Sequence, residues 1–178
     1  CPVMAADCDA TATGGGILAL ATRGGGAWYT LLDKNSAPFM PLSVSPCAES
    51  ARARLMRSYE SGHTNVEELE AVAARLGIPP DHCVLMDSQA KYACMAAGKA
   101  ELLFRLLSPS QPDYRECIWD QAAGSLIIEA AGGKVTDLHG RPLDFSQGRK
   151  LTNNLGVFAS NGPLHDTGLA ALEYILTT

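Results

Sequence analysis

Two short apolar runs near the start of the sequence are separated by a glycine-rich turn. The runs are GILALAT at 16–22 and GAWYTLL at 26–32, on either side of Arg-Gly-Gly at 23–25. Short apolar runs that are partly β-branched or aromatic, and that a tight turn separates, predict a β-hairpin. We expect a further short strand at 40–45, after Pro38.

From residue 53 onward, short apolar runs alternate with segments of helical spacing. The first such segment has its apolar positions at Val66, Leu69, Val72, Ala73 and Leu76. This spacing predicts a helix that Asn65 caps and that Gly77 ends. The same patterns predict strands at 53–59, 82–86, 100–107 and 156–160, and helices at 87–97, 119–131 and 164–176. Residues 134–137 and 142–144 are expected to flank a turn at 139–140. Strands that alternate with helices indicate an α/β fold in which helices flank a mixed β-sheet.

The segment WDQAAGSLIIEAAGGKV at 119–135 combines a helix start with a carboxylate and small residues. Asp120 lies at the predicted start of this helix, where Asp most often caps backbone N–H groups. The alternative follows from Ala122, Ala123 and Gly124, because three small residues leave room for a ligand to approach the backbone closely. Asp120 is therefore either an N-cap or a carboxylate that faces a ligand.

Ser88 and Lys91 lie near the start of the predicted helix at 87–97. Residues three apart on a helix share a face. The free N–H groups of the helix start, the Ser88 hydroxyl and the Lys91 ammonium group together suit a phosphate group. The alternative is a serine cap beside a surface lysine.

Arg105 and His63 are two further candidates for contact with a ligand. Arg105 interrupts the apolar run AELLFRLL, and a guanidinium suits bidentate binding of phosphate oxygens. The alternative for Arg105 is an edge position with its head group in water. His63 lies in a predicted loop between Gly62 and Thr64, where it is either solvated or in contact with a nucleotide base or sugar.

Length and charge narrow the class of protein. The 178 residues are 47% hydrophobic and 19% charged, and they carry a net charge of −5. This length predicts one domain, and the negative charge argues against binding a nucleic acid polymer. The sequence contains no apolar run of about 18 residues and no signal peptide, so we expect no membrane span and no membrane partner.

The cysteine pattern bears on the cellular compartment. The six cysteines form no Cys-x-x-Cys pair and no disulfide-like spacing, which favours a reducing compartment. We therefore expect a cytoplasmic location, with an organelle as the alternative. Asp7 and Asp9 are interpreted as solvated loop acids rather than metal ligands. Because the sequence begins at Cys1 without an initiator methionine, we interpret it as a piece of a longer protein.

Several motifs resemble those of the inositol monophosphatase superfamily, the lithium-sensitive, magnesium-dependent phosphomonoesterases. The most specific are DSQAKY at 87–92 and WDQAAG at 119–124. Others that extend the match through most of the sequence are GHT at 62–64, LLFRL at 102–106, EAAGGKVTD at 129–137, PLDF at 142–145 and ASNGP at 159–163. Within the superfamily, the sequence is most similar to the 3′(2′),5′-bisphosphate nucleotidases.

This resemblance implies a substrate and a set of site residues. It places a nucleotide against His63, Ser88, Lys91 and Arg105, and it makes Asp120 a magnesium ligand that also lies beside the substrate. It implies hydrolysis of the 3′-phosphate of 3′-phosphoadenosine 5′-phosphate (PAP), a by-product of sulfate transfer, to AMP, with two or more Mg²⁺ ions in the complete site. Related members act on the sulfated nucleotide (PAPS) or on inositol 1,4-bisphosphate.

The other metal-binding acids of the family are absent from this sequence. No Asp-Pro-Ile/Leu-Asp-Gly-Thr motif occurs, and one carboxylate cannot hold the metal ions of a two-metal phosphatase. We therefore expect residues 1–178 to be the C-terminal portion of the layered family fold, inactive alone, with the N-terminal portion of the same protein as its partner. The alternatives are an inositol polyphosphate 1-phosphatase and a non-catalytic fragment that binds nucleotides or other proteins.

Overall fold

The secondary structure is taken from a computed structural model, which describes residues 15–32, 37–59 and 64–177. Its strands are β1 Ile17–Thr22, β2 Gly26–Leu31, β3 Met40–Pro41, β4 Leu55–Arg57, β5 Cys83–Leu85, β6 Leu102–Arg105, β7 Lys134–Thr136 and β8 Val157–Ser160. Its α-helices are α1 Val66–Leu76, α2 Ala90–Ala96, α3 Ile118–Ala130 and α4 His165–Thr177. Short 3-10 helices cover Ser50–Arg52 and Pro80–His82.

The first three strands form an antiparallel sheet in the order β1-β2-β3. β1 and β2 pair along their whole length, which confirms the predicted hairpin. β3 ends at Pro41 and is therefore shorter than the strand predicted at 40–45. The chain then leaves the sheet: the backbone N–H of Val44 donates to the carbonyl oxygen of Ala131 (3.1 Å), just beyond α3.

The other five strands form a mixed sheet in the order β5-β4-β6-β8-β7. β4 is parallel to β5 and to β6, whereas β8 is antiparallel to β6 and to β7. Parallel neighbours need a crossover connection, and α1 and α2 lie in the two crossovers, from β4 to β5 and from β5 to β6. The predicted α/β class with a mixed sheet is confirmed.

Helices cover both faces of the mixed sheet. Leu103 of β6 packs in the core that contains residues of α2 and α3. Its neighbours Leu102 and Phe104 pack in the core that contains residues of α1 and α4, because successive strand residues point to opposite faces. The three-stranded sheet packs on α3. The layers therefore run from α1 and α4, through the mixed sheet, to α2 and α3, and then to the three-stranded sheet.

The first two helices show where the predicted helix boundaries were right and where they were wrong. In α1, the side-chain oxygen of Asn65 accepts a hydrogen bond from the backbone N–H of Glu68 (3.3 Å). Gly77 has a φ of 73° beyond the end of α1, as predicted for a glycine that ends a helix. Helix α2 begins three residues later than predicted, at Ala90. The reason is the φ of 61° at Ser88, which an α-helix does not allow.

Some predictions fall outside the part of the chain that the structure describes. These are the interpretations of Cys1, Asp7 and Asp9. Within the described ranges, each strand predicted after residue 53 is present and is shorter than predicted. None of the described helices is both long and apolar enough to cross a membrane.

Candidate functional site

A cavity of about 360 Å³ lies where the carboxyl ends of β4 and β6 meet the starts of α2 and α3. Its lining residues are Ser58, Asp87, Ser88, Gln89, Lys91, Tyr92, Arg105, Tyr114, Asp120 and Gln121. The structure thus brings together four of the predicted site residues, which are Ser88, Lys91, Arg105 and Asp120. The fifth, His63, falls in the segment 60–63, outside the described residues. Its contact with a base or sugar remains a prediction.

The direction of the strands places two of these side chains at one edge of the sheet. β4 and β6 are parallel neighbours, so their carboxyl ends lie side by side. Ser58 directly follows β4, and Arg105 is the last residue of β6. The carboxyl ends of strands are where open α/β sheets usually bind ligands.

Lys91 is almost completely buried, with 4% of its surface exposed. Its Nζ donates a hydrogen bond to the Ser58 hydroxyl oxygen (2.7 Å). Burial, together with the positive charge of Arg105, lowers the pKa of Lys91 to about 8. The alternative prediction of a surface lysine is therefore wrong, because Lys91 points into the cavity rather than into open solvent.

Arg105 lies on a central strand and is mostly buried, so the alternative of an edge position in water is wrong. Its Nε donates a hydrogen bond to Oε1 of Glu116 (2.9 Å). Burial opposes the charge of Arg105, but the adjacent Glu116 carboxylate raises the pKa of the guanidinium above its ordinary value. Arg105 thus stays positively charged while it lines the cavity.

Ser88 belongs to the turn before α2, not to the helix itself. Its hydroxyl oxygen accepts a hydrogen bond from the backbone N–H of Ala90 (3.3 Å). The predicted helical face that Ser88 would share with Lys91 is therefore wrong. Both residues line the cavity nevertheless, because the turn at 87–89 leads directly into the helix that carries Lys91.

Asp120 lies in the first turn of α3, which begins at Ile118 after the N-cap residue Cys117. The alternative of an N-cap at Asp120 is therefore wrong. The Asp120 backbone carbonyl accepts a hydrogen bond from Gln89 Nε2 (2.6 Å), which ties the turn before α2 to α3. Among the described residues, no hydrogen bond to the Asp120 carboxylate is found, and Asp120 lines the cavity.

The small residue Gly124 serves helix packing rather than access of a ligand to the backbone. A Cβ atom built at Gly124 would lie 2.4 Å from Cγ of Tyr92. The ring of Tyr92 on α2 therefore packs directly on the backbone of α3. The prediction that Gly124 leaves room for a ligand to approach the backbone is therefore wrong.

Sequence reasoning missed a buried polar network behind the cavity. Glu116 Oε2 accepts a hydrogen bond from Gln121 Nε2 (2.7 Å), and Gln121 Oε1 accepts one from the Tyr92 hydroxyl group. Glu116 and Gln121 are 5% and 1% exposed. Glu116 follows from no motif or period, because it lies in a loop whose partners are assembled only by folding. Gln121 lies in the WDQAAG motif, but the motif does not indicate its partners.

Magnesium, which the family resemblance implies, prefers oxygen ligands in a near-octahedral arrangement. Asp120 lines the cavity, and its carboxylate is a suitable donor for one such ligand position. No group of three or more His, Cys, Asp or Glu side chains that could hold a metal ion occurs in the described part of the chain. The donor set here thus fits part of a magnesium site, and the remaining ligands would come from elsewhere.

The fold and the cavity together define an α/β protein in which Lys91 and Arg105 line a cavity at the carboxyl edge of a mixed sheet. The sequence model of the inositol monophosphatase family matches residues 4–175. The chain therefore belongs to the inositol monophosphatase family, which confirms the resemblance found in the sequence.

Curated relatives carry a more specific name. The 3′(2′),5′-bisphosphate nucleotidase of Emericella nidulans is 40% identical over 164 residues, which cover 92% of this chain and 46% of the relative. The enzyme of the same name from Schizosaccharomyces pombe is 37% identical over 145 residues, which cover 82% of this chain and 40% of the relative. The chain thus spans less than half the length of these two relatives.

Solved structures share the fold at lower identity. The IMPase of Thermotoga maritima aligns with a TM-score of 0.59 and 20% identity, covering 85% of this chain and 53% of that one. SuhB of Mycobacterium tuberculosis aligns with a TM-score of 0.59 and 20% identity, covering 86% and 53%. These likenesses establish an inositol-monophosphatase-like fold for the aligned part.

Proposed function

We propose that this chain forms the nucleotide-binding portion of a magnesium-dependent 3′(2′),5′-bisphosphate nucleotidase. The complete enzyme would hydrolyse the 3′-phosphate of PAP and release AMP. Relatives of that name at 40% and 37% identity support the proposal. Because the chain covers 46% and 40% of their lengths, we assign the remaining metal-binding acids to another part of the same protein.

The observation that carries the proposal is the presence of Lys91 and Arg105 in one cavity. Two cations that share a small, partly buried space repel each other, and the Arg105 charge adds to burial in lowering the pKa of Lys91. A phosphate group would relieve this repulsion and accept hydrogen bonds from both side chains. Ser88 lines the same cavity, and its hydroxyl group is a neutral donor.

Each residue then has a definite role in the complete enzyme. Ser88, Lys91 and Arg105 hold and orient the nucleotide through its phosphate and ribose, and His63 contacts the base or sugar. Asp120 would be one ligand of a magnesium ion next to the substrate. Magnesium, when bound, supplies the activation of the attacking water and the stabilisation of the leaving oxygen.

The test of nucleotide binding compares AMP with adenosine by titration calorimetry on this chain. Each hydrogen bond to a charged group contributes about 1.5–3 kcal/mol, so AMP should bind at least about tenfold more tightly than adenosine. Inositol 1,4-bisphosphate serves as the competing ligand of the same family. Equal affinity for AMP and adenosine would contradict the proposal, and tighter binding of the inositol phosphate would favour an inositol polyphosphate 1-phosphatase.

The test of catalysis needs the longer protein. We expect phosphate release from PAP by the longer protein with Mg²⁺, and none by the chain of residues 1–178. A longer protein without the Asp-Pro-Ile/Leu-Asp-Gly-Thr acids that binds AMP but releases no phosphate would instead identify a non-catalytic nucleotide-binding protein.

We also propose a cytoplasmic location, on the cysteine pattern of the sequence. Fractionation of cells that express the longer protein, with a cytoplasmic and an organellar marker, tests this. Recovery with the organellar marker would contradict it.

A further inference from the structure

We propose that Glu116 is the positioning residue of the cavity, which holds the Arg105 guanidinium at the angle needed to bind a phosphate group. Glu116 does so as the acceptor at the end of a directional chain of hydrogen bonds that starts at Tyr92 and passes through Gln121. This inference rests on the proposed function, because it assigns a phosphate group to the cavity.

The bond between Arg105 and Glu116 uses one side of the guanidinium. Nε of Arg105 donates to Oε1 of Glu116 (2.9 Å), and no other hydrogen bond of Arg105 to a side chain of the described residues is found. A guanidinium is planar and presents its remaining N–H groups in a fixed fork. Fixing Nε on Glu116 therefore sets the plane of Nη1 and Nη2 in a residue that lines the cavity.

The hydrogen bonds behind Glu116 have a defined direction. The Tyr92 hydroxyl donates to Gln121 Oε1, so the amide nitrogen of Gln121 turns towards Glu116 and donates to its Oε2 (2.7 Å). Burial raises the pKa of Tyr92, which keeps the hydroxyl group protonated and able to donate. Position 116 thus receives two donors, one from Gln121 and one from Arg105.

The two donors bond to different oxygens of Glu116, so both of these atoms must be acceptors. A carboxylate has two acceptor oxygens, whereas an amide has one acceptor and one donor group. If position 116 were glutamine, its amide N–H group would face the N–H donor of either Gln121 or Arg105. One of the two hydrogen bonds would then be lost. The network therefore selects a carboxylate at position 116 for its hydrogen-bonding geometry as well as its charge.

The chain of hydrogen bonds also joins the three elements that carry the cavity. Tyr92 is the neighbour of Lys91 on α2, Gln121 is the neighbour of Asp120 on α3, and Arg105 ends β6. The loop that carries Glu116 is fixed in turn, because the backbone N–H of Leu151 donates to the Glu116 carbonyl oxygen (2.9 Å). Glu116 consequently sets the position of Arg105 relative to the two helices.

The charge of Glu116 acts on the second cation as well. The positive charge of Arg105 lowers the pKa of Lys91, whereas the negative charges of Asp87 and Glu116 raise it. Asp87 has the larger of these two effects, and the buried Glu116 adds to it. Glu116 therefore helps two cations to share one cavity.

The experiment is a double-mutant cycle on this chain with AMP and adenosine as probes, measured by calorimetry at pH 7. Glu116→Gln should weaken AMP binding at least about tenfold, since a misplaced charged hydrogen bond costs about 1.5–3 kcal/mol, and should leave adenosine binding unchanged. In the Arg105→Ala background, the same substitution should no longer weaken AMP binding, because the proposed effect passes through Arg105 and coupled residues are not additive. Glu67→Gln, at an exposed position of α1, is the matched control.

Two further variants separate positioning from folding. Glu116→Asp keeps both acceptor oxygens and should recover part of the AMP affinity that Glu116→Gln loses. Tyr92→Phe removes only the first donor of the chain and should weaken AMP binding by a smaller factor. The ¹⁵Nε–Hε resonance of Arg105 should be protected from exchange in the unmodified chain and should lose this protection in Glu116→Gln.

The outcomes distinguish this inference from the proposed function. An unmodified chain that binds AMP no better than adenosine overturns the proposed function and the inference with it. If Glu116→Gln leaves AMP binding unchanged, the inference alone is overturned. It is also overturned if Glu116→Gln weakens AMP binding by the same factor with and without Arg105→Ala. If Glu116→Gln does not fold, unchanged AMP affinity and unchanged Arg105 protection in Tyr92→Phe overturn it.

Discussion

Lys91 is a buried ammonium group whose hydrogen-bonding capacity is only partly used. An ammonium group has three N–H donors, and the hydrogen bond found for Lys91 Nζ within the described residues is the one to Ser58. Burying a charge costs free energy unless the charge is paired, which explains why burial is the main cause of its lowered pKa of about 8. A bound phosphate group would supply the missing acceptors.

Lys91→Ala should therefore weaken AMP binding about tenfold to a hundredfold, the effect of one charged hydrogen bond. Because the contact is ionic, the loss should be larger in low salt than in high salt. Calorimetry at two salt concentrations checks this, with Lys99→Ala at an exposed position as the control. An unchanged dissociation constant at both salt concentrations would reject the assignment of Lys91 to an anion site.

The lowered pKa of Lys91 also predicts the pH dependence of binding. Below about pH 8 the ammonium form dominates in the free chain, and this is the form that attracts an anion. AMP affinity should therefore fall as the pH rises through about 8, rather than near the ordinary lysine value. Lys91→Ala should remove this dependence, and a flat profile for the unmodified chain between pH 7 and 9 would contradict the prediction.

At the scale of secondary-structure elements, the contact between α2 and α3 shapes the cavity. The Tyr92 ring packs on the backbone of α3 at Gly124, and the hydroxyl of the same side chain donates to Gln121. The same packing brings the helix that carries Lys91 close to the helix that carries Asp120. A glycine inside a helix normally costs about 1 kcal/mol relative to alanine, and the close contact with Tyr92 explains why alanine does not fit here.

Gly124→Ala should therefore destabilise the chain although alanine favours helices. Overpacking of a core contact costs about 1–3 kcal/mol, which exceeds the gain of about 1 kcal/mol in helix propensity. Urea unfolding measures the change in the free energy of unfolding, with Glu129→Ala at an exposed position of the same helix as the control. A Gly124→Ala chain that is more stable than the unmodified chain would show that the two helices can separate at no cost.

At the scale of the whole molecule, the site is divided between this chain and the rest of the proposed enzyme. Two cationic side chains, Lys91 and Arg105, line the cavity of about 360 Å³, and we propose that both bind the phosphate group. The described residues contain no complete group of metal ligands. A complete phosphatase site needs both parts, since two metal ions must lie about 4 Å apart to activate water and stabilise the leaving oxygen.

Asp120→Asn should consequently affect the longer protein and the chain of residues 1–178 differently. In the longer protein, loss of a magnesium ligand should lower kcat about a hundredfold or more, because metal ions stabilise the transition state by several kcal/mol. In the chain of residues 1–178, AMP affinity should stay equal or rise, because a carboxylate near a phosphate group repels it. EDTA should also leave AMP binding to this chain unchanged, since one carboxylate holds Mg²⁺ only weakly. Full activity of the longer Asp120→Asn protein with Mg²⁺ would contradict the assignment.

The sequence alone determined the features that depend on local periodicity and on short motifs. Alternating apolar runs predicted the hairpin of β1 and β2, and helical spacing with Asn65 and Gly77 predicted α1 to within a residue. The α/β class followed from the alternation of elements. Motif resemblance selected Ser88, Lys91, Arg105 and Asp120, and these four residues line one cavity.

Only the tertiary structure decided which groups meet across the chain. The start of α2 follows the φ of 61° at Ser88, and the segment after β3 bonds to the end of α3 from Val44 to Ala131. The partnership of Glu116 with Arg105 joins a loop to a central strand. Periodicity reports which face of an element is apolar, whereas the partner of a buried polar group is set by elements that come together only on folding. The residues that hold the site in position are therefore defined by the tertiary fold.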